Sequence, residues 1–300
     1  MDVRWIFRFF SFWPLPWLHR LGGWLGWVVW WSNPAMRQRF RSHVALAGLP
    51  FAAAKPAIAE AGRFVAELPW LWFQPPSRSI LTHVGVEGMA HARQAFAKGN
   101  GVVIVGAHCG GFEIASQALA ELLGPTHGPL VALYRPARQK TLAQWEKTAR
   151  TRPYLDIMPA SMGSIRRMHR ALRNKQAVAM LCDQVPPEGQ GVWVPFFGQP
   201  AYTVTLAMRL ALQTGAAVLP VSCERLPAGK GFRLKFWPVI AEIAAIKSSA
   251  DNPDADLREA VTRMNQALES IILSQPGQYL WAYARYKQPR RETPRQGQIA

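Results

Sequence analysis

Short apolar runs alternate with longer amphipathic segments along most of this chain. The strongest runs are VVIV at 102–105 and AVAMLC at 177–182, which are apolar at every position. A strand has this composition when both of its faces are covered, as in a parallel sheet. Strands that alternate with helices therefore predict an α/β fold, in which helices flank both faces of a mostly parallel mixed sheet.

The same pattern sets approximate bounds for the elements. Beyond these two runs, we predict strands over 80–86, 130–134, 155–158, 192–197, 217–223, 232–240 and 279–286. Helices are predicted within 35–75 and over 87–98, 111–123, 138–150, 164–175, 202–214 and 255–274.

The N-terminus departs from this pattern because aromatic residues dominate it. Residues 5–31 contain seven of the thirteen tryptophans. Their apolar run falls short of the roughly 20 residues of a membrane-spanning helix, because it is interrupted by Arg8, Pro14, Pro16, His19 and Arg20. Tryptophan prefers the headgroup layer of a membrane, so we interpret 1–34 as a membrane-associating segment that lies on the surface. A buried helix pair and a single kinked span are the alternatives.

The rest of the chain is predicted to form one domain over 35–290, with a short polar tail at 291–300. The 35 Lys and Arg against 18 Asp and Glu give a net charge of +17. This excess favours an anionic partner, such as anionic lipid, an acidic carrier protein or nucleic acid. The three cysteines form no C-x-x-C pair, so we interpret them as reduced thiols and expect no metal site. The chain has neither the G-x-S-x-G motif of nucleophile-elbow hydrolases nor the H-E-x-x-H motif of zincins.

Polar residues follow three of the predicted strands directly. His108 and Glu113 follow strand 102–105, Arg135 follows strand 130–134, and Asp183 with Gln184 follows strand 177–182. In open α/β sheets, reactive groups gather beyond the carboxyl ends of the strands. We therefore expect the three groups to lie close together in the fold.

The segment GAHCGGFE suggests the chemistry of this site. If His108 lies on the loop and the helix begins near Gly111, Glu113 falls in the first turn and can reach back to the imidazole. Gly110 and Gly111 allow such a tight turn. A histidine oriented by a carboxylate is suited to deprotonating a hydroxyl or amine, with backbone N–H groups at the helix start holding the oxyanion. The alternatives are a histidine that only caps or packs, and Cys109 as a nucleophile.

The motifs occur in a recognisable order. GVVIVGAHCGGFE is followed by LYRPAR, then by AMLCDQVPPEGQGVWVPFFGQPAYTV, and finally by QPGQYLWAYARYKQPR. From about 35 to 288 the chain resembles the lipid A biosynthesis acyltransferases of Gram-negative bacteria, the lauroyl and myristoyl transferases, within the lysophospholipid acyltransferase superfamily. The resemblance implies that His108 and Glu113 are the catalytic pair. It also implies that Arg135, Asp183 and Gln184 shape the acceptor or donor site.

The resemblance further implies a location and a donor. Its members are anchored on the cytoplasmic face of the bacterial inner membrane, peripherally or by a single anchor. They take acyl groups from acyl carrier protein or coenzyme A as co-substrate, without a cofactor. Where members commonly carry Asn-Trp before the acid, this chain has Gly111-Phe112. Because these positions adjoin the pair, we expect them to contact the acceptor, a membrane lipid or glycolipid such as a lipid A precursor.

Two other functions compete with an acyltransferase. The first is a non-enzymatic basic protein that binds anionic membrane or nucleic acid, which the net charge favours. Nucleic acid is not the partner we expect, because the aromatic residues cluster at one end of the chain and binding alone does not need a His–acid pair. The second is a thioesterase or lipase that uses the same site with water as acceptor.

Overall fold

A seven-stranded sheet forms the centre of the fold. The computed structural model describes residues 3–134, 151–246 and 252–290. Within them the strand order is β1-β9-β8-β2-β5-β3-β4, and β6 pairs with β7 in a separate two-stranded ribbon. The strands are β1 (Val84–Glu87), β2 (Val102–Gly106), β3 (Leu130–Tyr134), β4 (Leu155–Pro159), β5 (Ala177–Leu181), β6 (Gly191–Phe196), β7 (Gln199–Val204), β8 (Ala217–Arg225) and β9 (Phe232–Phe236).

Strand β2 occupies the middle of the sheet and is parallel to both of its neighbours. Its register pairs Val102 with Ala177 of β5 and with Ala217 of β8. Among the described strands of the sheet, only the β8–β9 pairing is antiparallel, and β1 runs parallel to β9. The prediction of a mostly parallel mixed sheet is therefore confirmed for the described residues.

Helices cover both faces of the sheet. The described α-helices are α1 (Val3–Ser11), α2 (Leu15–Ser32), α3 (Pro34–Leu46), α4 (Phe51–Ala54), α5 (Ala57–Trp72), α6 (Met89–Ala97), α7 (Phe112–His127), α8 (Met162–Arg173), α9 (Leu206–Thr214), α10 (Ala241–Ala245) and α11 (Pro253–Ser274). Alternate residues of β2 point into two cores: Val103 and Val105 pack with α8, α9 and α11, whereas Val102 and Ile104 pack with α6 and α7. Burial on both faces explains why this strand is apolar throughout.

Helix α2 packs against α5 along a line of glycines. A Cβ atom at Gly62 of α5 would overlap the Gly22 carbonyl oxygen and would lie 2.6 Å from the Gly26 backbone nitrogen of α2. Glycines at these positions allow the two backbones to touch, much as small residues do where membrane helices cross. The N-terminal segment is thus fixed to the rest of the fold along one face. The predicted division at residue 34 remains a prediction.

One predicted helix starts too early, and one predicted strand is wrong. The predicted helix 202–214 begins at Leu206, because the preceding residues Gln199–Val204 form β7 and pair with β6. The β-branched and aromatic residues of this stretch fit a pleated ribbon. The predicted strand 279–286 is a series of turns with a single bridge from Tyr279 to Cys109, and Tyr279 and Trp281 are buried there without a ladder. The predicted helix 138–150 lies outside the described residues.

The helices of the described ranges do not span a membrane individually by length and composition. No single helix in them is both long and apolar enough to cross a membrane. The segments Pro34–Leu46 and Phe51–Trp72 satisfy length and composition only as a pair, with a bend of 119° between them.

Candidate active site

Two of the three predicted polar groups meet at the ends of β2 and β5. These strands are parallel neighbours, with Gly106 opposite Leu181. Just beyond them, the Cys182 N–H donates to the Gly106 carbonyl at 2.9 Å. The loops that follow therefore leave the sheet side by side. This places His108 next to Asp183, as the strand-end positions predicted.

The His108 imidazole is bound to the Asp183 carboxylate. Its Nδ1 lies 2.7 Å from Asp183 Oδ1, and its backbone N–H donates to Oδ2 at 3.1 Å. The carboxylate is almost fully buried. Burial alone would raise the pKa of Asp183, but the charge and hydrogen bonds of His108, with a further contribution from Arg285, hold this pKa below its ordinary value. Asp183 is therefore ionised and fixes the ring by a charge-assisted hydrogen bond.

The second ring nitrogen faces Gln184. The Gln184 Nε2 lies 3.1 Å from His108 Nε2. In a neutral imidazole whose Nδ1–H donates to Asp183, Nε2 carries the lone pair. The amide N–H of Gln184 is then the donor and His108 Nε2 the acceptor. This tautomer is the one that a general base requires.

The loop between β2 and α7 is held by hydrogen bonds to β8 and to the turn that follows α11. Gly110 has a φ of +61°, and a Cβ there would overlap the Cys223 carbonyl. The Gly110 N–H donates to Gln278 O at 3.0 Å and the Gly111 N–H to Cys223 O at 2.7 Å. Because these two N–H groups are engaged, an oxyanion would have to use later donors in the first turn of α7, which lack intrahelical partners.

The first turn of α7 brings Phe112 and Glu113 to the site. The Phe112 and His108 ring centroids are 4.9 Å apart. Glu113 lies in the first turn, as predicted, and its Oε1 accepts from the Trp72 indole N–H at 3.2 Å. The ring nitrogens of His108 pair with Asp183 and Gln184, so the orienting role expected of Glu113 falls geometrically to Asp183. A catalytic role for Glu113 remains a prediction.

Of the remaining predicted site residues, the structure describes Gly111 and Phe112 but not Arg135. A Cβ at Gly111 would lie 2.6 Å from the Phe232 ring, so a larger residue would have to displace that ring. Acceptor contacts by Gly111 and Phe112 remain predictions. Arg135 lies outside the described residues.

The alternative that Cys109 is the nucleophile does not fit its surroundings. Cys109 is buried, and its Sγ lies 3.8 Å from Gln275 O. Burial, together with the nearby negative charge of Asp183, raises the pKa of this thiol far above its ordinary value. The thiolate is the nucleophilic form, so a buried thiol of raised pKa is unreactive at neutral pH.

Two buried arginines near the site were missed from the sequence. Arg285 donates to Tyr202 O at 2.8 Å and helps to keep Asp183 ionised. Arg225 donates through Nη2 to Gly110 O at 3.2 Å and binds two buried carboxylates. For Arg285, the signal was a lone arginine inside the aromatic block QYLWAYARYK. Charged residues in such a block are buried only when they are paired.

An imidazole whose Nδ1 faces a buried carboxylate and whose Nε2 accepts from an amide, placed at strand ends of a mainly parallel sheet, has the arrangement that a general base for a hydroxyl or amine requires. The chain belongs to the bacterial lipid A biosynthesis acyltransferase family, whose model matches residues 6–288. The match spans nearly all of the described residues, including the site.

Several relatives are named enzymes. The chain is 28% identical to the lipid A biosynthesis lauroyltransferase of Escherichia coli K12 over 222 residues, which cover 73% of this chain and 66% of that protein. It is 27% identical to the lipid A biosynthesis palmitoleoyltransferase of the same organism, over 75% of this chain and 68% of that protein. A phosphatidylinositol mannoside acyltransferase of Mycobacterium tuberculosis is 27% identical over 61% of this chain and 58% of that protein.

Proposed function

We propose that this protein transfers a fatty acyl chain from a thioester donor, acyl carrier protein or acyl-CoA, to a hydroxyl or amine of a membrane lipid or glycolipid. The observation that carries the proposal is the His108 imidazole, held through Nδ1 by an ionised Asp183 with Nε2 as the base. The family supports acyl transfer as the reaction. The relatives are named for lipid A biosynthesis and for acylation of a phosphatidylinositol mannoside, which supports a glycolipid acceptor such as a lipid A precursor.

The proposed reaction moves one proton through one nitrogen. His108 Nε2 takes the proton of the acceptor hydroxyl while its oxygen attacks the thioester carbonyl. Asp183 stabilises the imidazolium that forms. When the C–S bond breaks, the imidazolium returns the proton to the leaving thiolate. The products are an ester and a free thiol, and the enzyme regains its starting state.

Helix α7 supplies the electrostatic part of the mechanism. Its axis begins at Phe112, beside the imidazole. The N-terminus of a helix carries partial positive charge, and its first N–H groups point away from the helix. Negative charge on the thioester oxygen would be stabilised there, and such preorganised donors are each typically worth about 10²–10³-fold in rate.

We further propose that the N-terminal helices rest on the membrane surface. Helix α2 buries one face, which includes Leu18, Gly22 and Gly26. Its opposite face exposes a stripe at helical spacing: Trp17, Trp24, Val28 and Trp31. Exposed Arg20 lies on the same stripe. An aromatic face with cationic residues suits the headgroup layer of an anionic membrane, and by the family resemblance this would be the cytoplasmic face of the inner membrane.

Helix α8 is the proposed docking surface for an acidic acyl carrier protein. It buries Met168 and Leu172, and it exposes Arg166, Arg170 and Arg173. Charge on such a surface speeds association and is screened by salt. Reversing the three arginines to Glu should raise the KM for the acyl carrier protein donor more than that for acyl-CoA.

Salt should shrink that difference in KM, and reversal of the exposed Arg93 of α6 is the matched control. Equal effects on both donors would contradict docking at α8.

The acceptor is best identified by comparing the lipids of a deletion strain with those of its parent by mass spectrometry. The expected result is one lipid class that loses the mass of a single acyl chain and regains it when the gene is restored. The purified protein should then add that chain to the accumulated lipid from an acyl thioester. A strain whose lipids are unchanged in acyl content, with no transfer by the purified protein, would contradict the proposal.

A further inference from the structure

The Gln184 side chain lies against His108 Nε2, the nitrogen on which the proposed reaction depends. Its amide nitrogen lies 3.1 Å from His108 Nε2, the nitrogen that would accept the proton of the acceptor. The residues on either side are fixed: Asp183 is bound to His108, and the Val185 N–H donates to the Tyr283 hydroxyl at 2.9 Å. The backbone therefore presents the Gln184 side chain to the imidazole from a rigid frame.

Two of the approaches to the imidazole are covered by protein. Asp183 covers the Nδ1 side. The Phe112 ring packs against the imidazole with its centroid 4.9 Å away and is itself backed by Phe64 at 4.5 Å. The His108 side chain nevertheless retains 17% of its exposure. Gln184 thus stands on the side of the ring where a substrate hydroxyl must arrive.

We infer that Gln184 is a placeholder on the general base, which keeps water from Nε2 until the lipid hydroxyl displaces it with the help of binding contacts that the rest of the lipid makes and water cannot make. The inference rests on the proposed acyl transfer and concerns the choice between two acceptors at the same site. Bulk water is present in large excess over any lipid acceptor. A base with an open lone pair beside a thioester would activate water as readily as a lipid hydroxyl.

The unwanted reaction follows the same proton path. Water would give its proton to Nε2 as its oxygen attacks the thioester carbonyl, and the imidazolium would return the proton to the thiolate when the C–S bond breaks. The products would be a free fatty acid and a thiol. A neutral hydrogen bond has a net strength of about 1 kcal/mol, so we expect the amide on Nε2 to suppress this reaction by roughly three- to tenfold.

The test measures hydrolysis and transfer separately in the full-length protein. Lauroyl-CoA is the probe, and release of the CoA thiol without a lipid acceptor reports hydrolysis. Transfer is measured with the lipid that accumulates in the deletion strain. Gln184→Ala should raise thiol release by about three- to tenfold and raise the ratio of hydrolysis to transfer. Gln190→Ala, an exposed glutamine in the same loop, is the control and should leave the ratio unchanged.

Gln184→Glu provides a second readout that loss of folding would not produce. A carboxylate facing Nε2 favours the imidazolium and raises the pKa of the base. The pH at which transfer is half-maximal should therefore move upward in this variant.

The outcomes separate this inference from the proposed function. Raised hydrolysis in Gln184→Ala with an upward shift in Gln184→Glu would support the placeholder. If the wild type transfers the acyl chain but Gln184→Ala keeps the wild-type ratio, or loses both reactions equally, the placeholder is wrong and the acyltransferase stands. If the wild type neither hydrolyses nor transfers lauroyl-CoA or lauroyl acyl carrier protein, both proposals fail.

Discussion

Two histidine–carboxylate pairs in this protein use the same chemical groups in different ways. At the site, His108 Nδ1 lies 2.7 Å from Asp183, and the histidine side chain is 17% exposed. Between α2 and α5, His19 Nε2 lies 3.1 Å from Glu67, and that histidine side chain is only 5% exposed. A short distance from histidine to carboxylate therefore does not identify a catalytic base. A catalytic base also needs a second ring nitrogen that the substrate can reach.

The surroundings of the second pair show what it is for. Glu67 is fully buried and accepts two hydrogen bonds from Arg225, which also binds Glu60. Arg63 forms a further ion pair with Glu60. Charges removed from water must be paired in this way. Because Arg225 also donates to Gly110 O, this cluster ties α5 to the loop that carries His108.

The largest expected effect is on activity. His108→Ala should lower kcat for acyl transfer by about 10²–10⁴-fold, because the general base is lost. Asp183→Asn should cause a loss of similar order, since the imidazole loses the partner that fixes its tautomer. Both are measured with purified protein that has an unchanged far-UV spectrum and still binds vesicles.

The matched variant is His19→Gln in the buried cluster. It should keep kcat within a few-fold and lose about 1–3 kcal/mol of stability, because a buried partner of Glu67 is changed. Near-normal transfer by His108→Ala, or loss of transfer by a folded His19→Gln, would reverse the assignment of the two pairs.

The next effect is on stability. Arg225→Met should lower the free energy of unfolding by about 3–5 kcal/mol, because Glu60 and Glu67 would be left buried without their main partner. Denaturation in urea measures the difference. Arg233→Met is the control, since this exposed arginine pairs with exposed Glu87 and half-buried Glu224. Its cost should stay below about 1 kcal/mol. Equal losses of unfolding free energy in the two variants would contradict a larger contribution from the buried cluster.

A smaller effect is expected at the membrane. Replacing Trp17, Trp24 and Trp31 by Ser should weaken binding to anionic vesicles by roughly 10²-fold, at about 1 kcal/mol per partly inserted ring. The folded core should remain intact, because these side chains are exposed. Trp193→Ser, an exposed tryptophan of β6, is the control. Unchanged vesicle binding by the triple variant would place the membrane contact on another surface.

The sheet could be predicted from sequence to the extent that burial leaves a pattern. Strands such as β2 and β5 are covered on both faces, so they are apolar throughout and easily recognised. The boundary between β7 and α9 could not be found, because the residues around Thr205 fit either period and only pairing with β6 decides. The C-terminal block 279–286 resembles a strand in composition because it is aromatic, yet its backbone forms turns.

The site divides in the same way. Its position could be predicted because parallel strands bring their carboxyl ends together. That Asp183, and not Glu113, binds the His108 imidazole could not be predicted, because this pairing depends on β5 lying next to β2, which is a property of the tertiary fold. Local spacing points to Glu113, five residues away, whereas Asp183 is 75 residues away. Arg225 and its two carboxylates were missed for the same reason.

The smallest effect is expected at Cys109, the neighbour of His108. Backbone geometry sends its side chain away from the imidazole into the interior, where burial and the charge of Asp183 raise its pKa. Cys109→Ala should therefore keep kcat within about twofold, since only the thiolate is nucleophilic.

Iodoacetamide at pH 8 should label none of Cys109, Cys182 and Cys223 in the native protein, because all three are buried with raised pKa values. In urea all three should react, which is the control for the reagent. If Cys109 were labelled quickly in the native protein, at the rate at which transfer is lost, the thiol would take part in the reaction. The functional distinction between His108 and His19 would then no longer hold.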